Sequence, residues 1–268
     1  MAQDQQQPDL IVGVTEPLVG DGGAMFDALL GHFSGGGQSG DLDPRVVKAL
    51  RAEFERSEFF GADMRQLWAM LELVLLKSRR KPGSGRDELD LLNLACGYCE
   101  EGAVLSAFWG RGGKRVRQFA MDLRDAEVDK AKRRYAATER LFRSAGLPTV
   151  GARSAEGKDA VEFVAGDASK LAGVGQIPAQ FDVVFIRHQN LWHDRPTWQR
   201  IYEFALNHIA DDGLLVITSY FDREHLLSLE LLKVLGVYIL VSERNPKSRE
   251  LDYPGKSIDR HVAAIVRA

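Results

Sequence analysis

The stretch Leu89-Asp90-Leu91-Leu92-Asn93-Leu94-Ala95-Cys96-Gly97-Tyr98-Cys99-Glu100-Glu101-Gly102 joins three local signals. A run of mostly apolar, strand-like residues enters a tight turn of small residues, and a helical pattern follows. Together these are the parts of a nucleotide-cofactor site. The turn lets a ligand approach the backbone closely, and the helix start offers unpaired N–H groups. The same turn contains Cys96-Gly97-Tyr98-Cys99, a spacing that also suits a redox or metal pair.

On the C-terminal side, strand-like and helix-like segments alternate. Strands are predicted at 89–94, 116–121, 161–164, 183–186 and 214–218, with helices at 101–109, 126–145, 197–209 and 223–235. Alternation of this kind predicts an α/β fold, a parallel sheet covered by helices on both faces. The segments 238–242 and 261–266 are both strand-like and are joined only by a polar loop, so they predict an antiparallel hairpin at the end of the sheet. On the N-terminal side, Lys81-Pro82-Gly83-Ser84-Gly85 marks a boundary. Residues 43–84 before it carry two helical patterns, the first opened by Asp43-Pro44. Residues 1–42 are Gly- and Gln-rich and predict an arm in which Phe26, Leu29, Leu30 and Phe33 could dock one helical turn.

Composition excludes several classes. With 268 residues, 45% of them apolar, the chain can bury one large core. A net charge of −3 and local basic clusters at 77–81 and 130–134 give no footprint for bulk nucleic-acid binding. The start has no signal-peptide pattern, and the most apolar window, 67–76, is far too short for a membrane span, so a cytoplasmic location is expected. Two cysteines three positions apart make no secreted disulfide framework, and no second Cys pair or close His pair completes a metal site.

Open α/β sheets bind ligands at the carboxyl ends of their strands, near the point where strand order reverses. The strand ends here are Ala95-Cys96-Gly97, then Asp122, then Gly166-Asp167-Ala168, then Arg187-His188-Gln189-Asn190. A carboxylate at Asp122 offers two acceptor oxygens to a ribose diol, and one at Asp167 could accept from an exocyclic amine. Any one of these acids could equally cap a helix.

In this order, and with the terminal hairpin, these residues resemble the class I S-adenosylmethionine-dependent methyltransferases over residues 85–268. The resemblance implies a Rossmann-like, mostly parallel seven-stranded sheet ending in an antiparallel hairpin, here with a helical N-terminal cap. It implies cofactor contacts from Asn93, Ala95, Cys96, Gly97, Asp122, Leu123, Gly166, Asp167, Ala168, Arg187 and His188. The family's acid-x-Gly-x-Gly-x-Gly loop is matched in part: Asn93 stands at the acid, and Ala95 and Cys99 stand at the outer glycines. A dinucleotide Rossmann enzyme would need more glycines than Gly97 and Gly102 to cradle a pyrophosphate. Cys99-Glu100-Glu101 and the segment from Phe181-Asp182-Val183-Val184 to Asp194-Arg195-Pro196-Thr197 also look like the chemotaxis receptor glutamate methyltransferases. Ile186-Arg187-His188-Gln189 differs from the Asn-Pro-Pro-Tyr of DNA amino-methylases.

Methyl transfer from a sulfonium mainly requires alignment and, for some acceptors, removal of a proton. His188 and His193 are the candidate bases, and Arg187 could hold a carboxylate through its planar fork. Trp192 and Trp198 could wall a substrate pocket or pack on the sheet, and the N-terminal helices with Phe59, Phe60, Trp68 and Met70 could form a lid or pack. The expectation is transfer to oxygen or nitrogen of a small molecule, leaving S-adenosylhomocysteine. Methylation of a protein carboxylate and a cofactor-binding protein without transfer are the alternatives.

Overall fold

The structure, a computed structural model, describes residues 25, 29, 44–54, 59–111, 114–144, 161–170 and 177–268. The elements are α1 (Pro44–Phe54), α2 (Phe60–Ser78), β1 (Glu88–Leu94), α3 (Gly102–Trp109), β2 (Arg115–Asp122), α4 (Asp125–Ser144) and β3 (Val161–Ala165). Then follow β4 (Phe181–Arg187), α5 (Arg195–Asn207), β5 (Ile209–Ser219), α6 (Asp222–Val234), β6 (Val237–Arg244) and β7 (His261–Arg267). The seven strands form one sheet in the order β3-β2-β1-β4-β5-β7-β6. All pairs from β3 to β5 are parallel, whereas β7 runs antiparallel to both β5 and β6. The expected seven-stranded sheet and terminal hairpin are therefore both present.

Strand periodicity sorts the core into two layers. Leu89 and Leu91 of β1 point to the face covered by α2 and α3, with Val183, Phe185, Leu214 and Val216 beside them. Leu92 and Leu94 point to the other face, with Val184 and Ile186, against Tyr202, Phe204 and Ala205 of α5 and Leu231 and Leu232 of α6. Strands buried on both faces need near-continuous apolar runs, which is why β4 is buried along all but its last residue. Helix α3 is apolar on every side, and seven of its residues are buried. It can therefore sit only deep against the sheet, directly after the turn that leaves β1.

The N-terminal helix α2 lies on the sheet layer itself. Met64, Leu67, Trp68, Met70, Leu71 and Val74 are buried in the same core as α3. Trp68 meets Phe108 edge-on at 5.0 Å, so this part of the expected cap packs against the fold. The Pro/Gly stretch between α2 and β1 is also held in place. Pro82 and Gly83 are buried, and the Gly83 carbonyl accepts from Lys114 Nζ at 2.5 Å. Gly83 has φ +64°, a backbone that favours glycine, and a side chain there would meet the buried Asp182 carboxyl. Within residues 1–42, Met25 and Leu29 are helical and buried, and the rest of the expected arm lies outside the described residues.

Candidate active site at the strand ends

Strand order reverses between β1 and β4, and the strand ends flanking that point gather most of the expected site residues. The turn after β1 is built from left-handed residues: Ala95, Gly97 and Cys99 have φ 53°, 54° and 51°. Ala95 and Cys99, standing at two glycine positions of the resembled motif, thus keep the backbone that glycine would adopt, at a cost of roughly 1–2 kcal/mol each.

Asp122, at the end of β2, reaches back to this turn. Its carboxylate accepts from the Gly97 amide at 2.8 Å and from the Arg124 amide at 2.9 Å. The side chain is nearly buried, whereas its neighbour Leu123 is exposed. Asp167 holds a tighter turn of its own, accepting from the Ser169 amide and hydroxyl at 2.9 and 2.6 Å. These bonds, Ser169 first, hold its carboxyl below the usual range. Gly166 donates its amide to the Asp122 carbonyl at 2.9 Å, which joins the ends of β2 and β3, and Ala168 is buried beside them.

The centre of the site is a buried charge cluster that includes two residues missed from the sequence. Arg187, closing β4, makes a two-pronged pair with Asp259: Nε to Oδ1 at 3.0 Å and Nη2 to Oδ2 at 2.6 Å. Its remaining nitrogen, Nη1, lies 3.4 Å from Glu101 Oε2. Asp259 comes from the loop between β6 and β7, is fully buried, has φ 46°, and also accepts from Thr218 at 2.8 Å. Glu101 is buried at the start of α3 and accepts from Asn93 Nδ2 at 2.7 Å. Burial alone would raise the Asp259 carboxyl, but Arg187 and His188 outweigh it and hold it far below the usual carboxylate range. Arg187 is thus engaged by protein carboxylates rather than presented as an open fork.

Counting Glu101 and Asp259 as carboxylates and Arg187 as the one cation, the cluster carries one surplus negative charge. Buried charge without a partner is costly, so this arrangement suits a site that receives a cation. A second observation points the same way. Asn93 is fully buried and its Oδ1 has no hydrogen-bond partner among the described residues.

His188 follows Arg187 in a strained left-handed conformation, φ 59°, fixed by its amide's bond to the Thr218 carbonyl at 3.0 Å. Its ring stacks on Tyr220 at 3.7 Å, and Nε2 lies 2.9 Å from Asp259 Oδ1. The Asp259 amide also points at Nε2, from 3.2 Å, but one nitrogen cannot both donate and accept. The shorter, charge-assisted contact favours Nε2–H as donor, which leaves Nδ1 as a free lone pair with no partner among the described residues. Burial holds the His188 pKa below its ordinary value against the pull of Asp259, so the ring is neutral at pH 7. Burial also pushes the Tyr220 hydroxyl up to about 12, leaving it protonated.

Other candidates fall elsewhere. His193 is exposed on the loop after β4 and joins no side-chain cluster among the described residues. Trp198 tilts against Tyr202 and packs on the core, whereas Trp192 is 42% exposed. Cys96 and Cys99 are both free thiols. The hydrogen bond to Cys99, together with burial, raises the Cys96 thiol far above its ordinary value, opposite to what a redox nucleophile needs. Cys99 Sγ instead accepts from Asn93 and Gln118 at 3.5 and 3.6 Å, as a small packing residue of the turn. Among the described residues no cluster of three His, Cys, Asp or Glu could hold a metal ion, and no helix is long and apolar enough to cross a membrane.

Sheet order and terminal hairpin define a Rossmann-like fold. Among solved structures the chain is similar to a S-adenosylmethionine-dependent methyltransferase from Clostridium acetobutylicum ATCC 824, at 11% identity and TM-score 0.51, over 82% of this chain and 98% of that one. It is also similar to a TehB-like SAM-dependent methyltransferase from Corynebacterium glutamicum ATCC 13032, at 14% identity and TM-score 0.48, over 84% and 100% of the two chains. The first likeness supports the fold. No family model and no curated protein matches the chain.

Proposed function

We propose that this protein is an S-adenosylmethionine-dependent methyltransferase acting on a hydroxyl or amine of a small molecule. The observation that carries the proposal is the buried cluster of Glu101, Arg187 and Asp259, which has a negative charge to spare beside the orphaned Asn93 Oδ1. S-adenosylmethionine carries an ammonium and a sulfonium, and a polar cation of that kind satisfies both. Glu101 and Asn93 would bind the ammonium end, Asp122 the ribose, and the turn at Ala95–Gly97 with the β3 end at Gly166–Ala168 would flank the nucleoside. The acid that the resembled motif places at position 93 is supplied here from position 101, through the Asn93–Glu101 bond.

Bound there, the cofactor supplies an electrophilic methyl group. The chain's own residues orient the acceptor and receive its proton. Neutral His188, held through Nε2 by Asp259, presents Nδ1 as the base. Asp259 is a positioning residue: it fixes the tautomer and stabilises the imidazolium once it forms. A carboxylate acceptor needs no base, so this pair favours a hydroxyl or amine over a protein glutamate.

The reading is tested by thermal unfolding in the presence of S-adenosylhomocysteine and, separately, NAD. S-adenosylhomocysteine at a hundred times its Kd should stabilise the fold by about 2.7 kcal/mol, and NAD should do nothing. Asp122→Ala should remove the shift. No response to S-adenosylhomocysteine would sink the cofactor assignment, and an undiminished response in Asp122→Ala would remove that residue from the site.

A further inference from the structure

A continuous run of rings leads away from His188 along the ends of β4 and β5. The imidazole stacks on Tyr220 at 3.7 Å, and Tyr220 leads to Phe221 at 6.5 Å. Phe221 is met edge-on from two sides, by Trp192 at 6.3 Å and Tyr253 at 5.8 Å, with planes at 83° and 90°. The two outer rings stay in water: Trp192 is 42% exposed and Tyr253 is 65% exposed. The rings of the run come from the loop after β4, the residues just before α6 and the β6–β7 loop, all at the edge of the sheet that holds Asp259. Large exposed rings gathered beside a buried base are costly to leave solvated, and are well placed to take the face of a flat ligand.

Two cations border the run. The Arg223 guanidinium lies 4.8 Å from the Trp192 ring centre, and Lys256 Nζ lies 4.3 Å from that of Tyr220. Among the described residues neither lies within ion-pair distance of a carboxylate, although Lys256 acts at longer range on the buried Glu224. The acid next to Arg223 in the chain, Asp222, is already taken by Arg260 at 2.8 Å and His261 at 2.6 Å. Lys256 is partly offset by the buried Glu224 carboxyl, so Arg223 is the cation of the border with no acid against it among the described residues, whereas the cluster behind His188 carries the negative surplus. An acceptor spanning the two would present its reacting end inward and its anionic end outward.

We infer that the acceptor is a planar aromatic anion, a phenol bearing a carboxylate or comparable acid, stacked on Trp192 with its acid between Arg223 and Lys256. This rests on the methyl-transfer reading above and names the substrate class for that site. In the reaction the phenol oxygen forms the new O–CH3 bond, and its proton passes to Nδ1 of His188. The methyl's bond to sulfur breaks with the electron pair left on sulfur, giving the aryl methyl ether and S-adenosylhomocysteine.

The test is isothermal titration of the S-adenosylhomocysteine-saturated protein with para-hydroxybenzoate, para-cresol and cyclohexanecarboxylate. Saturation itself checks the cofactor reading, so failure of the acceptor is seen separately. Para-hydroxybenzoate should bind about tenfold more tightly than either single-feature analogue, through stacking plus charge. Trp192→Ala should weaken it about 3- to 10-fold, Trp192→Phe should restore most of the loss, and Arg223→Gln with Lys256→Gln should level it with para-cresol. Equal binding of cyclohexanecarboxylate, an unchanged Trp192→Ala, or no binding of para-hydroxybenzoate to the saturated protein would each overturn the assignment.

Discussion

Replacing Glu101 by Gln separates a site built for a cation from a carboxylate that merely props the fold. In the wild type Glu101 is 3% exposed, with Oε1 2.7 Å from Asn93 Nδ2 and Oε2 3.4 Å from Arg187. The glutamine keeps an oxygen for Asn93 and nearly the same volume, and Arg187 keeps both bonds to Asp259. What is lost is the surplus negative charge, together with the long 3.4 Å contact in which Glu101 Oε2 accepts from Arg187 Nη1. A hydrogen bond to a charged group contributes about 1.5–3 kcal/mol, so S-adenosylhomocysteine affinity should fall by about 10- to 150-fold. At a ligand concentration a hundred times the wild-type Kd, the stabilisation of about 2.7 kcal/mol would drop to about 0.4 kcal/mol for a hundredfold loss. The ligand-free protein should not be destabilised, because relief of the cluster's surplus buried charge offsets the loss of the long Arg187 contact. Thermal unfolding with and without ligand checks both: the ligand-free Tm should hold or rise while the ligand-induced shift collapses. A ligand-free Tm that falls together with the shift would instead make Glu101 a structural partner of Arg187.

Three further outcomes follow from the geometry. Asp259→Ala leaves Arg187 buried with Glu101 alone and should cost about 3–5 kcal/mol, lowering Tm by roughly 6–20 °C at about 2–4 °C per kcal/mol; a drop under about 2 °C would contradict the pairing. Ala95→Gly trades about 1–2 kcal/mol of left-handed strain against about 0.5–1 kcal/mol of added chain entropy, so Tm should hold or rise by a few degrees; a clear fall would mean the turn depends on the Ala95 methyl. Burial pushes Glu224 up to about 7, above its unfolded 4.5, so the folded state binds the extra proton and this group costs stability as pH rises between those values. Urea titrations of wild type and Glu224→Gln at pH 4.5 and 8 should therefore differ by up to about 3 kcal/mol in the variant's favour at pH 8, and parallel curves would refute the shift.

The sheet was legible because its signal is periodic and repeated. Apolar runs at 89–94, 183–186 and 214–218 alternate with helical patterns, and two strands without a helix between them leave little choice but a hairpin. Boundaries were looser: β5 begins at Ile209, directly after α5, where the sequence pattern runs the helix on to the same residue. The turn was recognisable, but its shape was not, since nothing in Ala95 or Cys99 announces a positive φ. Asp122 was found because it ends a strand. Asp259 was not, because it lies 72 positions beyond Arg187 in an aperiodic loop and only the folded hairpin brings them together. Glu101 stood within the very stretch first singled out, where a carboxylate suits the positive end of a helix. Its role depends on the side-chain direction of Asn93, which sequence does not carry.

The most direct test is a crystal structure of the protein with S-adenosylhomocysteine. The ribose should lie on Asp122 and the ligand ammonium between Asn93 Oδ1 and Glu101. A ligand bound elsewhere, or one whose ammonium leaves Asn93 Oδ1 and Glu101 untouched, would contradict it.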